Sequence, residues 1–291
     1  MASDFATTPT GLSSYDDVSY TAIITDEVLD ALMAVVVTPA LLAHYPIENE
    51  ASKSVKVPKA DKFTAAALSE GTEVANTALT DDSVSSTTAE IGIMATITDV
   101  LEVSDIPAAH GARLRQLGRS LGDKLDIDIC TLFQSFANSA GTTTANATLD
   151  NILDAIYQLE VNDAAGQGTI CGVLHPRQSA DLRTDLEANT GVIYTSSSDS
   201  RVGSQAANGM FGSWFGIDFY QSTNVPTSNA GEDRGGDVFV KDYALGMATK
   251  WAARVETMRW APIRGVVLVA TAMYSVFEVQ DVAGVDFSTD A

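Results

Sequence analysis

Apolar residues recur at helical spacing in one long stretch near the middle of the chain. From Pro107 to about Asn138 they lie three or four residues apart, which places them on one stripe of a helix. The stripe consists of Leu114, Leu117, Leu121, Leu125, Ile129, Leu132, Phe133 and Phe136. Ser104 or Asp105 is a suitable N-cap, and proline is tolerated in the first turn. The pattern predicts a rod roughly 45 to 50 Å long with one buried face.

An alternating pattern precedes this helix. Polar and apolar residues alternate over 53–58 and again over 91–103, which is typical of β-strands. Residues 59–88 lie between them and contain little to bury, so the two strands should pair as a long projecting hairpin. Because a lone two-stranded hairpin is marginal in water, we expect the segment 53–103 to be stable only against another copy of the chain.

The remaining segments predict a mixed fold. Residues 1–20 are polar and aperiodic, which indicates an extended arm, and a short helix is predicted from Thr25 to Pro39. After the polar linker 141–147, the order is helix, strand, helix, a polar loop over 188–208, a strand from Gly216, and a β-rich end over 265–282. The predicted fold class is α+β.

The chain is strongly acidic. It has 38 acidic and 17 basic residues, a formal net charge of -21. Such a charge repels phosphate, so we predict no sequence-specific nucleic-acid contact. Two interpretations stay open: simple solubility, or a wall that encloses DNA without sticking to it. No run of about 18 apolar residues is present to cross a membrane, and the polar start lacks a secretory signal, so we expect a cytoplasmic origin.

Sequence motifs for catalysis or cofactor binding are absent. The three histidines have no metal-ligand spacing, no phosphate-binding glycine loop occurs, and Ser213 has the wrong spacing for a nucleophile elbow. Cys130 and Cys171 lie in apolar segments and should behave as small hydrophobic residues. Phe215 should help to pack a tight turn over 209–216. We therefore predict no catalytic residue, no cofactor and no metal.

Two motifs carry a family resemblance. RLRQLGRSLGDKLDIDICTLF (113–133) resembles the spine helix of the HK97-type major capsid proteins of tailed double-stranded DNA bacteriophages, and FGIDFYQSTNVP (215–226) resembles a strand and turn of the same family. The predicted order of elements also resembles that family along nearly the whole chain. The resemblance implies an N-terminal arm and short helix (1–50), an extended loop or E-loop (51–97), a peripheral domain with a spine helix (98–147 and 256–291), and an axial domain (148–255).

The resemblance also implies function and partners. The chain would be a structural protein and not an enzyme, forming pentamers and hexamers of an icosahedral shell around the DNA genome. A separate scaffolding protein, a portal and a decoration protein are implied partners, and assembly would occur in the host bacterial cytoplasm. Two alternatives stay open: an encapsulin-type cargo compartment, which shares the fold, and a small-molecule α/β enzyme, which would be a compact monomer.

Inter-subunit contacts are expected from charged residues near the loop and on the long helix. Lysines cluster near the loop, but the sequence does not support a partner for a covalent cross-link. The candidate contact residues are Lys53, Lys56, Lys59, Lys62, Phe63, Glu70, Glu73, Arg113, Arg115 and Arg119.

Overall fold

The computed structural model describes residues 37–48, 51–59, 82–100, 107–190, 210–228 and 233–290, together with 65, 67, 70, 71, 73 and 74. Contacts divide the chain into two compact units. The first unit contains the described parts of 90–126 and 251–273, and the second contains those of 37–89, 127–250 and 274–290. This division rests on contacts alone, so the domain boundaries implied by the family resemblance stay predictions.

The described residues form three α-helices and thirteen β-strands. The helices are α1 (Pro107–Cys130), α2 (Leu149–Val161) and α3 (Pro176–Thr190). The strands of the first half are β1 (Ala43–Pro46), β2 (Ser54–Lys59), β3 (Asp82–Thr87), β4 (Ala89–Thr98), β5 (Ser139–Ala140) and β6 (Ile170–Leu174). Those of the second half are β7 (Met210–Trp214), β8 (Ile217–Gln221), β9 (Thr227–Ser228), β10 (Asp233–Val240), β11 (Leu245–Trp260), β12 (Gly265–Glu278) and β13 (Gly284–Asp290).

A seven-stranded sheet organises the second unit. Its order is β5-β13-β10-β6-β8-β7, with the short β9 paired to β10. Strand β10 is antiparallel to both of its long neighbours, β13 and β6, whereas β6 and β8 run parallel. Nearly every residue of β10 is buried, which is expected for a central strand covered on both faces.

Aromatic side chains fill one side of this sheet. Phe239 of β10 is fully buried and its ring centroid lies 5.9 Å from that of Phe133. At Gly284, an added Cβ would overlap the ring of Phe136, so a larger residue there would displace this buried ring. Phe133 begins a short 3₁₀ turn, Phe133–Ser135, which follows the end of α1. The chain after α1 thus leaves the helical path and buries the side chains of Phe133 and Phe136 from irregular backbone.

A buried glutamine binds the other side of the sheet to α3. The Nε2 of Gln178 lies 3.0 Å from the carbonyl oxygen of Arg234, 2.8 Å from that of Phe287 and 2.9 Å from Oγ1 of Thr289. Its Oε1 accepts a hydrogen bond from the backbone N–H of His175 at 3.0 Å. A fully satisfied buried amide of this kind fixes the position of α3 on the strands.

A four-stranded sheet has the order β1-β11-β12-β4. In the second unit, β1 runs parallel to the start of β11, with Ala43 opposite Gly246 and Pro46 opposite Thr249. In the first unit, Ile97 of β4 and Leu268 of β12 pack with Leu117 of α1 in a small core. Ile93, Ala95 and Ile97 of the predicted alternating pattern therefore face this core.

Several sequence predictions are confirmed, and others are wrong. The long helix, the helices from Leu149 and Pro176, and the strand from Ile217 are all present. The predicted pairing of 53–58 with 91–103 is wrong, because β2 pairs with β3 whereas β4 joins the other sheet. The long helix ends at Cys130 and not near Asn138. The predicted arm and residues 25–36 of the predicted helix lie outside the described residues, as does most of the loop at 188–208. The end of that predicted helix falls in a 3₁₀ turn, Thr38–Leu41.

Candidate assembly surfaces

The β2–β3 hairpin lies within the predicted loop (51–97), which also contains most of β4. Its register runs from Ser54 opposite Thr87 to Lys59 opposite Asp82. Val57 is buried in a cluster that also contains Ala248, Phe277 and Val279 of the same chain. The expectation that this hairpin needs another copy to cover it is therefore wrong at its base: its own chain supplies an apolar cover.

Hydrogen bonds also fasten the hairpin base. The carbonyl oxygen of Lys53 accepts from the backbone N–H of Thr88 at 2.8 Å and from its hydroxyl at 2.9 Å. The ammonium of Lys250 donates to the carbonyl oxygen of Ile47 at 3.0 Å and to that of Ser52 at 3.3 Å. Together with the Val57 cluster, these bonds hold the base of the hairpin within the second unit.

The predicted contact residues are found on several elements. Lys53 and Lys56 are exposed and Lys59 is half-buried, all at or in β2, and Glu70 and Glu73 are also exposed. Arg115 and Arg119 are exposed one turn apart on α1, so they share a face of the helix. Lys62, Phe63 and the side chain of Arg113 lie outside the described residues. A single chain does not test whether these residues contact a neighbour, so that part stays a prediction.

The sequence reasoning missed an apolar surface at the end of the β11–β12 hairpin. Met258 is 60% exposed and Trp260 is 43% exposed, and their spacing of two places them on the same face of β11. Arg254 and Glu256 precede them on that face, and Ile263 and Arg264 lie exposed in the following turn. We call these six residues the hairpin tip. Exposed and half-buried residues alternate along β11 from Trp251 to Met258, and the residues of the tip lie on the exposed face.

The hairpin tip is fixed to the end of β4. The guanidinium of Arg259 donates to both carboxylate oxygens of Asp99, at 2.8 and 3.2 Å. The backbone N–H of Asp99 in turn donates to the carbonyl oxygen of Arg264 at 2.9 Å. An added Cβ at Gly265 would overlap the carbonyl oxygen of Ile97, so the strands approach closely here. These contacts fix the shape of the tip within the single chain.

A second apolar surface lies on helix α2. Ile152, Ala155 and Leu159 are buried, whereas the opposite side exposes a stripe at intervals of four residues. The stripe consists of Leu153, Tyr157 and Val161, exposed by 45%, 65% and 63%. Exposed carboxylates flank it: Asp150, Asp154 and Glu160. The helix contains no basic residue. We call these six residues the α2 stripe.

The turn between β7 and β8 exposes another aromatic side chain. Phe215 and Gly216 both have positive φ, at 53° and 83°, which matches a two-residue hairpin turn. Phe215 is 57% exposed, so the prediction that it packs the turn is wrong. A bulky residue rarely adopts this backbone conformation.

Two acidic side chains lie opposite each other on β10 and β13. Asp237 and Asp286 are register partners on one face of the sheet, and Asp237 is fully buried. Burial, followed by the charge of Asp286, raises the pKa of Asp237 well above its usual value, although the amides of Val238 and Val285 offset part of this. Neither carboxylate oxygen of Asp237 has a well-aligned hydrogen bond among the described residues. Burial also raises the pKa of Asp286, which accepts hydrogen bonds from Ser288.

Other predicted features are found as follows. Cys130 and Cys171 are free and buried, and burial raises the pKa of the Cys171 thiol. Asp126 of α1 is also buried. Within the described ranges, no group of three or more potential ligands is placed to hold a metal ion. No described helix is long and apolar enough to cross a bilayer.

Solved capsid shells have the same fold. The structure is similar to the capsid protein of cyanophage P-SCSP1u, with a TM-score of 0.62, 14% identity and coverage of 88% of both chains. The capsid of an empty GTA particle gives a TM-score of 0.66 at 11% identity, covering 88% of this chain and 90% of the other. A virus-like particle from Pyrococcus furiosus gives a TM-score of 0.61 at 11% identity, covering 92% and 99%. The fold is therefore the HK97-type fold of capsid shells.

Sequence comparison then gives the family. A family model described as phage capsid protein matches residues 80–285, more than half of the chain. The chain belongs to this family and is a major capsid protein, a component of the virion capsid. Comparison with curated protein sequences gave no match.

Proposed function

We propose that copies of this chain assemble as pentamers and hexamers into an icosahedral shell around a double-stranded DNA genome. The family match over 80–285 carries the proposal. The exposed aromatic and apolar side chains of the hairpin tip and the α2 stripe support it, because surfaces of this composition mark sites of protein association. Assembly in the host bacterial cytoplasm, with a scaffolding protein, a portal and a decoration protein, is part of the proposal. The role is structural, not catalytic.

The predicted domains belong to the same proposal. The arm (1–50), the E-loop (51–97), the peripheral domain (98–147 and 256–291) and the axial domain (148–255) would each contribute contacts between copies. The lysines at β2 would then pair with acidic surfaces of neighbouring copies. One surface ion pair contributes little, but many repeated contacts in a closed shell add up.

The charge of the chain provides a test. At a net charge of -21 per copy, repulsion opposes assembly at low salt, and screening at about 0.15 M reduces it beyond roughly 8 Å. Light scattering of the purified chain should show assembly that increases between low and moderate ionic strength, and negative-stain imaging should show rings or closed shells. A monomer at every concentration and salt level, with or without a scaffolding protein, would contradict the proposal.

An encapsulin-type cargo compartment is the second candidate. The structural similarity to the virus-like particle from Pyrococcus furiosus supports this second candidate. The match to the phage capsid protein family supports a virion capsid instead. The contents of particles isolated from the native source separate the two. Nuclease-protected double-stranded DNA supports the capsid, and a packed protein cargo without DNA supports the compartment.

A further inference from the structure

The hairpin tip and the α2 stripe are complementary in both composition and charge. The tip presents Met258, Trp260 and Ile263 beside two outward arginines and one glutamate. The stripe presents Leu153, Tyr157 and Val161 beside three carboxylates and no base. Both surfaces therefore offer exposed apolar side chains, and the charges around them are net positive at the tip and entirely negative at the stripe.

We propose that the hairpin tip of one copy docks on the α2 stripe of a second copy. The inference rests on the proposed shell function and names one contact within it. Trp, Met and Arg are enriched where protein interfaces carry their binding energy, and the tip supplies all three. A tyrosine at the centre of the stripe, 65% exposed, offers the matching aromatic surface.

Charge disfavours the two like-with-like pairings. Two α2 stripes would place six carboxylates together without a base, in a chain that already carries a net charge of -21. Two hairpin tips would bring four outward arginines against two glutamates. Tip against stripe brings two arginines to three carboxylates, and Coulomb attraction then supports the apolar contact. The chain carries both halves, so no other partner is required.

The geometry of the tip also favours docking. The bidentate Arg259–Asp99 bond and the close packing at Gly265 fix its shape, so little conformational entropy is lost when it binds. A contact between two different surfaces is heterologous, and such contacts form closed rings or extended lattices. A contact of a few side chains is weak by itself, which suits a shell in which it is repeated many times.

Mixed disulfide cross-linking tests the contact directly. Two full chains are made, Ile263→Cys and Tyr157→Cys, one with a tag so that the products differ in mass. The native Cys130 and Cys171 are 0% and 1% exposed, so they should not react. Under assembly conditions with a mild added oxidant, we expect the mixed dimer to exceed either homodimer by about tenfold. Met94→Cys replaces Ile263→Cys in the control, because Met94 is an exposed apolar residue of the same unit.

A charge swap supplies the second measurement. Arg254→Glu on the tip should lower the yield of mixed dimer by about tenfold, and Asp154→Lys on the stripe should restore most of it. Homodimers through position 263 or through position 157, or particles that give no mixed product, would overturn the inference while the shell function stands. Failure to form any particle, seen by negative-stain imaging, would instead contradict the proposed function.

Discussion

The seven-stranded sheet of the second unit and the hairpin tip of the first unit use large aromatic side chains in opposite ways. Phe239 is fully buried against Phe133 in the sheet, and the amide of Gln178 satisfies the backbone on the other face. Trp260 at the tip is 43% exposed, although a bidentate ion pair fixes the backbone around it. The sheet is stabilised by its own chain, whereas the tip leaves apolar surface exposed in the single chain.

In the proposed contact, this difference separates residues that stabilise the folded subunit from residues that contribute to assembly. A buried aromatic contributes to the free energy of unfolding of one chain, because its apolar area leaves water on folding. An exposed aromatic leaves water only on association, so it contributes to the free energy of assembly. Replacing the aromatic residue by alanine should therefore lower the free energy of unfolding in the sheet, whereas at the tip it should weaken assembly.

The largest effect is expected from Phe239→Ala. Removing a fully buried ring leaves a cavity and should lower the free energy of unfolding by about 3 to 5 kcal/mol. Trp260→Ala, the matched variant at the tip, should change it by no more than about 0.5 kcal/mol but should weaken assembly. Urea unfolding and sedimentation measure the two quantities. Equal destabilisation by both variants would contradict the division between folding and assembly residues.

A smaller effect of opposite sign is expected from Asp237→Asn. The folded-state pKa of Asp237 is raised by burial and then by Asp286, so its contribution to stability is present below the unfolded pKa and is lost as pH rises through the folded pKa. At neutral pH the neutral amide should raise the free energy of unfolding by about 1 to 3 kcal/mol, because it replaces a buried charge that has no good hydrogen-bond partners. In this variant the free energy of unfolding should also fall less steeply than in the wild type as the pH rises above about 4.

Urea unfolding across this pH range measures the effect. Asp154→Asn, which removes an exposed carboxylate, serves as the control and should keep the wild-type slope. An Asp237→Asn chain that is less stable than wild type at neutral pH would show that the carboxylate makes favourable bonds. The sheet would then tolerate its acidic pair through hydrogen bonding and not through protonation.

Local periodicity predicted the regular elements well. The helices from Pro107, Leu149 and Pro176 and the strand from Ile217 follow from spacing and capping residues. The predicted helix extended beyond the true end of α1, because Phe133 and Phe136 keep helical spacing. In the structure these two side chains are buried, but the backbone that carries them is no longer α-helical. Strand β3, with the sequence DSVSST, was missed because it has a single large apolar residue.

Surfaces were harder to predict than elements. Which strand pairs with which depends on distant segments, so local alternation predicted the wrong partner for β4. For the same reason it did not reveal the residues of the same chain that cover Val57. The sequence pattern also failed to predict that Met258 and Trp260 are exposed, because an apolar residue in a strand normally indicates a buried face. The charged residues chosen as contacts were visible in the sequence, but a lysine or arginine at a surface does not identify its partner.

The smallest effect on stability is expected from Arg259→Gln at the tip. The ion pair with Asp99 is largely exposed, with side chains 64% and 39% accessible, so its loss should cost only about 0.2 to 1 kcal/mol. The cost should shrink at about 1 M salt, where the screening length is roughly 3 Å. Urea unfolding at low and high salt measures it, with Arg254→Gln as a control on the same strand.

Assembly should respond to Arg259→Gln more strongly than folding does. The bidentate bond fixes the turn that presents Trp260 and Ile263, so losing it should loosen the tip and increase the entropy lost on docking. Assembly measured by light scattering should weaken even though the chain keeps nearly its full stability. An unchanged assembly profile would show that the Asp99 N–H bond to Arg264 and the close packing at Gly265 hold the tip by themselves.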